Sequence, residues 1–138
     1  MSKNTKGFSL VEIMVVVAVF GLLVAISVPG FSSYTHANRL STSASRLAAD
    51  LQWARSTSIA NGRVILVAAS GNGYTVTDVA TGNVLADRDF ERGCTLAADA
   101  SARFFPWGLA ESASFNVAGS SGTTRTITLL PTGVVEVD

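Results

Sequence analysis

The stretch Gly7-Phe8-Ser9-Leu10-Val11-Glu12, followed by the uncharged apolar run over residues 13–28, decides how this chain folds. The seven residues that begin the sequence contain Lys3 and Lys6 and no acid. Basic residues beside an apolar segment favour the cytoplasmic side of a membrane. With its flanks, the run is long enough for one helical crossing of about 30 Å of hydrocarbon. The sequence therefore predicts a single-pass precursor with its N-terminus inside the cell.

Glu12 is the charged residue at the head of this run. An ionised group at membrane depth costs at least about 2.5 kcal/mol, so such residues usually have a partner and a function. A secretory signal peptide would have a shorter apolar stretch, no leading acid and a small-residue cleavage site. Ala25-Ile26-Ser27 loosely resembles such a site. A secreted β-domain protein cut after Ser27 therefore remains an alternative.

The helical pattern continues beyond the apolar run. Pro29 and Gly30 are expected to bend or loosen the helix, because proline lacks a backbone donor and clashes with the preceding turn. From about residue 31 to 59 the pattern becomes amphipathic, and Asn61-Gly62 closes it. The apolar residues that recur at steps of three and four are Phe31, Tyr34, Ala37, Leu40, Ala44, Leu47, Leu51 and Ala54.

After Gly62 the chain has the pattern of short strands. Valine-rich and β-branched runs alternate with glycine- and asparagine-containing turns, which are typical of antiparallel hairpins. The sequence predicts two successive hairpins after the helix and another at the C-terminus. The predicted strands cover residues 64–69, 74–79, 84–87, 94–98, 102–105, 114–117, 124–130 and 134–137. A long helix followed by strands predicts an α+β fold, with antiparallel sheet or a β-sandwich packed on the helix stripe.

The composition excludes several kinds of chemistry. Ten basic and ten acidic residues give no net charge, so no global field attracts nucleic acid. Cys94 is the only cysteine, so no internal disulfide forms, and a small buried residue is its expected role. His36 is the only histidine, which leaves no set of ligands for zinc and no Cys-His pair. We expect no cofactor, no metal site, no catalytic residue and no enzymatic activity.

The leader junction strongly resembles the class III signal of type IV pilins and type II secretion pseudopilins. Glycine before the cut, phenylalanine after it and glutamate at the fifth mature position make up this motif. The resemblance implies that prepilin peptidase cuts between Gly7 and Phe8 and that Phe8 is then N-methylated. It also implies that Glu12 pairs with the Phe8 amine of an adjacent subunit and sets the axial register, because pairing offsets the burial of each charge.

Later segments resemble the GspH/FimT group of minor pilins and minor pseudopilins. They are Leu47-Ala48-Ala49-Asp50-Leu51-Gln52-Trp53-Ala54-Arg55-Ser56, Val64-Ile65-Leu66, Phe105-Pro106-Trp107-Gly108 and Pro131-Thr132-Gly133-Val134-Val135. The resemblance implies a subunit at or near the tip of a pilus or pseudopilus that helps to start its assembly. The implied partners are other pilins or pseudopilins through the helix, prepilin peptidase, the inner-membrane assembly platform and, before assembly, lipid.

These interpretations divide the chain into four parts. Residues 1–7 are the leader, 8–30 the transmembrane and assembly half of the helix, 31–61 its amphipathic half and 62–138 the β domain. The expected location is the inner membrane, with the β domain in the periplasm, and then the filament.

A DNA-binding minor pilin for natural transformation is an alternative. Such binding needs clustered cations, and the C-terminal residues 133–138 contain two acids and no base. Arg63, Arg103 and Arg125 remain candidates for a patch, and scattered solvated charge is the favoured interpretation.

Three other features have ordinary structural explanations. Asp87, Asp89 and Glu91 are expected to form a solvated charged loop rather than a calcium site, which needs six or more oxygen ligands. Trp53 is expected to pack in the core, and Trp107 is expected at a buried strand end.

Overall fold

The computed structural model describes residues 8–138, apart from the side chains of residues 28–33. The chain divides into two compact units, with the boundary between Tyr34 and Thr35. The first unit is helical over its described residues from Leu10 onward, and the second combines helix and sheet.

Helix α1 spans Leu10–Asn61. Ser9 begins it, because the Ser9 carbonyl accepts hydrogen bonds from the amides of Glu12 (3.0 Å) and Ile13 (3.3 Å). Gly62 follows the helix with a φ of 63°, and the Arg63 amide donates to the Ser58 carbonyl at 3.2 Å. This is a Schellman C-cap, which requires the left-handed conformation that glycine adopts most readily. The predicted end at Asn61-Gly62 is therefore confirmed.

Eight strands follow in two antiparallel four-stranded sheets. The first sheet has the order β3-β2-β1-β5 and the second β4-β6-β7-β8. The strands are β1 Ile65–Ser70, β2 Gly73–Asp78, β3 Val84–Asp89, β4 Cys94–Leu96, β5 Ala100–Phe104, β6 Ala113–Gly119, β7 Thr124–Leu129 and β8 Val135–Val137. The predicted hairpins β1/β2, β2/β3 and β7/β8 are all paired as expected. The α+β class is confirmed.

One apolar core joins the second part of α1 to both sheets. The helix contributes Leu40, Ala44, Leu47, Ala48, Leu51 and Ala54, whose spacing places them on one face. Alternate residues of the strands point towards them, among them Val67, Phe104, Phe115 and Ile127, all fully buried. Cys94 is buried in the same core, as expected.

The structure corrects the predicted stripe at its N-terminal end. Tyr34 and Ala37 are exposed, and burial begins at Leu40. Leu40 lies against Gly119 at the end of β6, where a Cβ would stand 3.4 Å from the Leu40 side chain. The apolar positions of the predicted stripe that precede Leu40 are therefore not part of the core, which helical periodicity alone does not reveal.

The expected burial of the two tryptophans is wrong. Trp53 is 44% exposed, and Trp107 is 69% exposed. Leu51 and Ala54 already fill the core next to Trp53, which is left half exposed beside them. Trp107 lies in the turn after β5 and stacks on Phe105, with ring centroids 5.0 Å apart and planes within 6°. An exposed tryptophan held by a partly buried phenylalanine is typical of a contact surface.

Candidate functional site

The apolar part of α1 is the first candidate site. Among the described residues, the segment Leu10–Ser27 is long and apolar enough to cross a membrane, and none of it is buried. Its large apolar side chains expose between 46% and 77% of their surface. Ser27, the polar residue near its end, donates a 2.8 Å hydrogen bond to the Leu23 carbonyl. Such a surface is stable only against lipid or other apolar helices.

Glu12 lies in the first turn of this helix. A carboxylate there faces the positive end of the helix dipole, which is favourable. The described chain offers Glu12 no ion pair, and its neighbours along the helix are exposed apolar residues. Phe8 precedes the helix and is 77% exposed. The helix therefore carries an unpaired acid at its head, four residues after the predicted new terminus.

The other residues predicted around the leader receive no structural test. Gly7 lies outside the described residues. Pro29 and Gly30 fall inside α1, whose helical backbone continues through both positions. That Pro29 and Gly30 bend or loosen the helix stays a prediction.

The arginines considered for DNA binding lie on separate elements. Arg63 follows the helix and pairs with Asp78 at 2.9 Å, and Arg103 on β5 pairs with Glu111 at 3.3 Å. Arg125 lies on β7 in the other sheet. Two of the three cations are already neutralised by carboxylates. This arrangement favours scattered surface charge over a phosphate-binding patch.

One of the three acids considered for calcium, Glu91, pairs with an arginine of helix α1, and an arginine of the same charged segment pairs with an acid of that helix. Arg46 contacts Glu91 at 3.5 Å, and Arg88 contacts Asp50 at 2.8 Å. Tyr74 also donates a 2.7 Å hydrogen bond to Asp50. No cluster able to hold a metal ion occurs among the residues that the structure describes.

Two titratable groups connect the β domain to helix α1 and to the segment that follows it. Burial, together with the hydrogen bond to Asp50, raises the pKa of the Tyr74 phenol. The hydrogen bond from Arg63, assisted by the Ala80 amide at 2.9 Å, lowers the pKa of Asp78. Both groups join elements that are distant in sequence, Tyr74 to the helix and Asp78 to the segment that follows it.

A second candidate site is an open groove beside the helix, which we call the Arg55 groove. Its lining comprises Gln52, Arg55 and Ser56 of α1 and Gly133, Val134 and Val135 of the β7–β8 connection and β8, around a volume of about 310 Å³. Arg55 donates hydrogen bonds to the carbonyls of Gly108 (3.1 Å) and Gly133 (3.3 Å). It therefore ties the Trp107 turn and the β7–β8 turn to the helix.

Sequence reasoning missed this groove. Arg55 reads as one more polar residue opposite the helix stripe, and its two carbonyl partners are 53 and 78 residues away. The turn residues Gly108 and Gly133 were the available signal. Both have positive φ, 86° and 78°, and at Gly133 a Cβ would stand 2.6 Å from Arg55 Nε. Only glycine permits this approach.

An exposed, acid-headed apolar helix leading into a helix-plus-antiparallel-sheet domain defines the pilin class of filament subunits. Comparison with protein families agrees. The family model described as type II transport protein GspH matches residues 43–133, and the prokaryotic N-terminal methylation motif matches residues 2–28. The chain belongs to the GspH family. It is a structural subunit of the minor pilin and pseudopilin kind and not an enzyme.

Individual relatives agree with this assignment. Two fimbrial proteins of Pseudomonas aeruginosa are each 37% identical over 68 residues, covering 49% of this chain and 44% of theirs. The match thus spans less than half the length of these relatives. The fold is that of crystal structures of the Pseudomonas aeruginosa type IV minor pilin FimU. In its two crystal forms the TM-scores are 0.59 and 0.58 at 21% identity, covering 76% and 72% of this chain and 92% of each matched chain.

Proposed function

We propose that this chain is a low-abundance subunit at or near the tip of a type IV pilus or type II secretion pseudopilus, where it helps to start assembly. The observation that carries the proposal is the exposed apolar helix with Glu12 at its head, in a chain of the GspH family. An apolar helix can exchange lipid for other apolar helices with little change in its surroundings, which suits a subunit that leaves a membrane for a fibre.

Processing supplies the partner of Glu12. Prepilin peptidase cuts between Gly7 and Phe8, the new Phe8 amine is N-methylated and remains cationic, and it pairs with Glu12 of an adjacent subunit. Burying either charge alone is unfavourable, and pairing offsets much of that penalty. The pair therefore favours one axial register. Before assembly the chain spans the inner membrane with its β domain in the periplasm, where it meets other pilins or pseudopilins and the assembly platform.

Incorporation into filaments tests the role of Glu12. In cells that assemble the filament, Glu12→Gln removes the charge and keeps the size of the side chain, whereas Glu12→Asp keeps the charge and serves as the matched control. We expect both precursors to insert and to be cut. Glu12→Gln should be strongly depleted from sheared filaments, and Glu12→Asp should be retained better. Equal incorporation of Glu12→Gln and the unaltered chain would remove the register role.

The ratio of this chain to the major subunit in filaments tests whether it is a low-abundance subunit. Quantitative mass spectrometry of sheared filaments should find this chain at a small fraction of the major subunit, and its deletion should reduce the number of filaments. A ratio close to that of the major subunit would show a bulk component instead.

DNA binding remains the second candidate and is disfavoured by the ion pairs of Arg63 and Arg103. Gel shifts with the protein in detergent, across a range of salt, test it directly. We expect no retardation at physiological salt. Retardation lost on changing Arg63, Arg103 and Arg125 to glutamine would support this candidate.

A further inference from the structure

The Arg55 groove holds a cation that the described chain does not neutralise. Arg55 is partly buried and has five N–H donors, of which its contacts with the Gly108 and Gly133 carbonyls use two. Arg46, Arg63, Arg88 and Arg103 each contact a carboxylate, whereas Arg55 contacts none among the described residues. A fixed guanidinium with free donors in a groove is a ready site for a carboxylate.

The same groove runs along an open sheet edge. Strand β8 pairs with β7 on one side and is the last strand of its sheet. The Val134 carbonyl accepts from Leu130, and the Asp138 amide donates to Thr126. By the alternation of an antiparallel ladder, Val135 and Val137 point their N–H and C=O groups away from β7. Val135 also lines the groove, so hydrogen-bonding groups for a further strand stand beside Arg55.

Exposed apolar side chains border this site. Val134 lines the groove and is 46% exposed, and Trp107 adjoins Gly108, the residue that Arg55 holds. Leu109 and Ile59 are also half exposed, and Ile59 lies near Gly108, where an added Cβ would stand 3.6 Å from Ile59 Cδ1. Tryptophan and arginine are enriched among the residues that carry most of the binding energy of protein interfaces.

We propose that the Arg55 groove binds an extended acidic segment of a neighbouring filament subunit. A carboxylate of that segment binds the free donors of Arg55, its backbone pairs with the β8 edge at Val135, and an adjacent apolar side chain packs on Val134 and Trp107. Strand addition to an open edge supplies affinity through main-chain hydrogen bonds, and the side-chain contacts supply specificity. This inference rests on the proposed function, because it requires the chain to be in a filament.

Site-specific crosslinking in filament-forming cells tests the inference. The full-length chain carries the photo-crosslinking amino acid p-benzoylphenylalanine at Val134, or at Thr95 as the matched control. Thr95 is exposed and lies on β4, the opposite edge strand of the same sheet. After irradiation, filaments are sheared and the crosslinked peptide is identified by mass spectrometry. We expect Val134 to yield a crosslink to a segment of another subunit that contains Asp or Glu, at a yield well above that of Thr95.

A second variant distinguishes two roles of Arg55, which are to bind a carboxylate of the partner and to hold the turn carbonyls of its own chain. Arg55→Gln keeps an amide donor for a turn carbonyl and loses the charge, and should lower the Val134 crosslink about tenfold or more, as expected for a lost charge-assisted bond. Arg125→Gln makes the same charge change on β7 and should leave the yield unaltered. The inference would be overturned by a Val134 crosslink no stronger than that of Thr95. It would also be overturned if Val134 crosslinked to lipid, to a second copy of this chain or to a segment without acids. An undiminished Val134 crosslink yield in the Arg55→Gln variant would overturn it as well. In each of these cases the chain is still found in filaments, so the proposed function survives. Absence of the chain from filaments would overturn both.

Discussion

Asp78 shows at the scale of one residue how the β domain is fastened to the end of α1. Its carboxylate accepts from Arg63 and from the Ala80 amide, and the first of these is the main reason that its pKa is lowered. A carboxyl whose pKa is lower in the folded state stabilises the fold above its unfolded value, near 3.8. That contribution is lost as the pH falls through the folded value.

The first prediction concerns acid unfolding. Arg63→Gln should bring the folded and unfolded pKa of Asp78 together, so thermal stability should decline less steeply below about pH 4. Arg103→Gln is the matched control, because it breaks an exposed pair of the kind that contributes little. Thermal melts of both variants from pH 2 to 7 make the comparison. If the melting temperatures of Arg63→Gln and of the unaltered protein fell equally steeply below about pH 4, this role of Asp78 would be contradicted.

A second residue-scale prediction concerns Tyr74, which is buried and donates to Asp50. Tyr74→Phe keeps the ring contact with Phe90 and removes the hydrogen bond, so it should lower the free energy of unfolding by about 1 kcal/mol. Because the phenol pKa is raised, its stabilisation is complete below the ordinary value of 10.0 and falls as the pH rises above it. The variant should therefore lose less stability than the unaltered protein between pH 9 and 11. A steeper alkaline loss in Tyr74→Phe would contradict this prediction.

At the scale of elements, the described part of α1 has two kinds of surface. Its first part exposes apolar side chains, whereas from Leu40 onward one face is buried under both sheets. Stability of the β domain should therefore depend on the buried face and not on the outer one.

The third prediction tests this division of the helix. Leu47 is fully buried, so Leu47→Ala should lower the free energy of unfolding by about 2–5 kcal/mol through the cavity that it leaves. Ser45→Ala, two residues away on the exposed face, should change it by less than about 0.5 kcal/mol. Denaturant unfolding followed by circular dichroism measures both. Similar losses for the two variants would show that the helix is not fastened through this face.

The strands could be predicted because the turns between them are formed by short local sequences of turn-forming residues. Gly71 and Gly133 adopt positive φ of 57° and 78° at hairpin connections, where the sequence places turn-forming residues. The grouping of strands into two sheets was not predicted, because β5 returns to pair with β1 through contacts that no local pattern encodes. The Arg55 groove was hidden for the same reason. Its lining comes from α1, from the β7–β8 connection and from β8, which the fold alone brings together.

At the scale of the whole molecule, the protein family could be predicted from the sequence, whereas the residues exposed on the surface of the folded subunit could not. The leader junction is a short, complete motif, whereas exposure of Trp107 depends on packing that helical and strand periodicity do not report. The composition predicted no net electrostatic field, and the structure adds ion pairs that neutralise four of the eight arginines of the second unit. A β domain without an excess of basic residues and an exposed apolar helix fit a subunit that is held by helix packing.

The central claim is that proteolysis creates the positive partner of Glu12, and the mature N-terminus tests it most directly. The chain is purified from sheared filaments and its N-terminal peptide is sequenced by tandem mass spectrometry. The account predicts that this peptide begins at Phe8 and carries one methyl group on its amine. A peptide that begins at Met1, or directly after Ser27, would contradict the account.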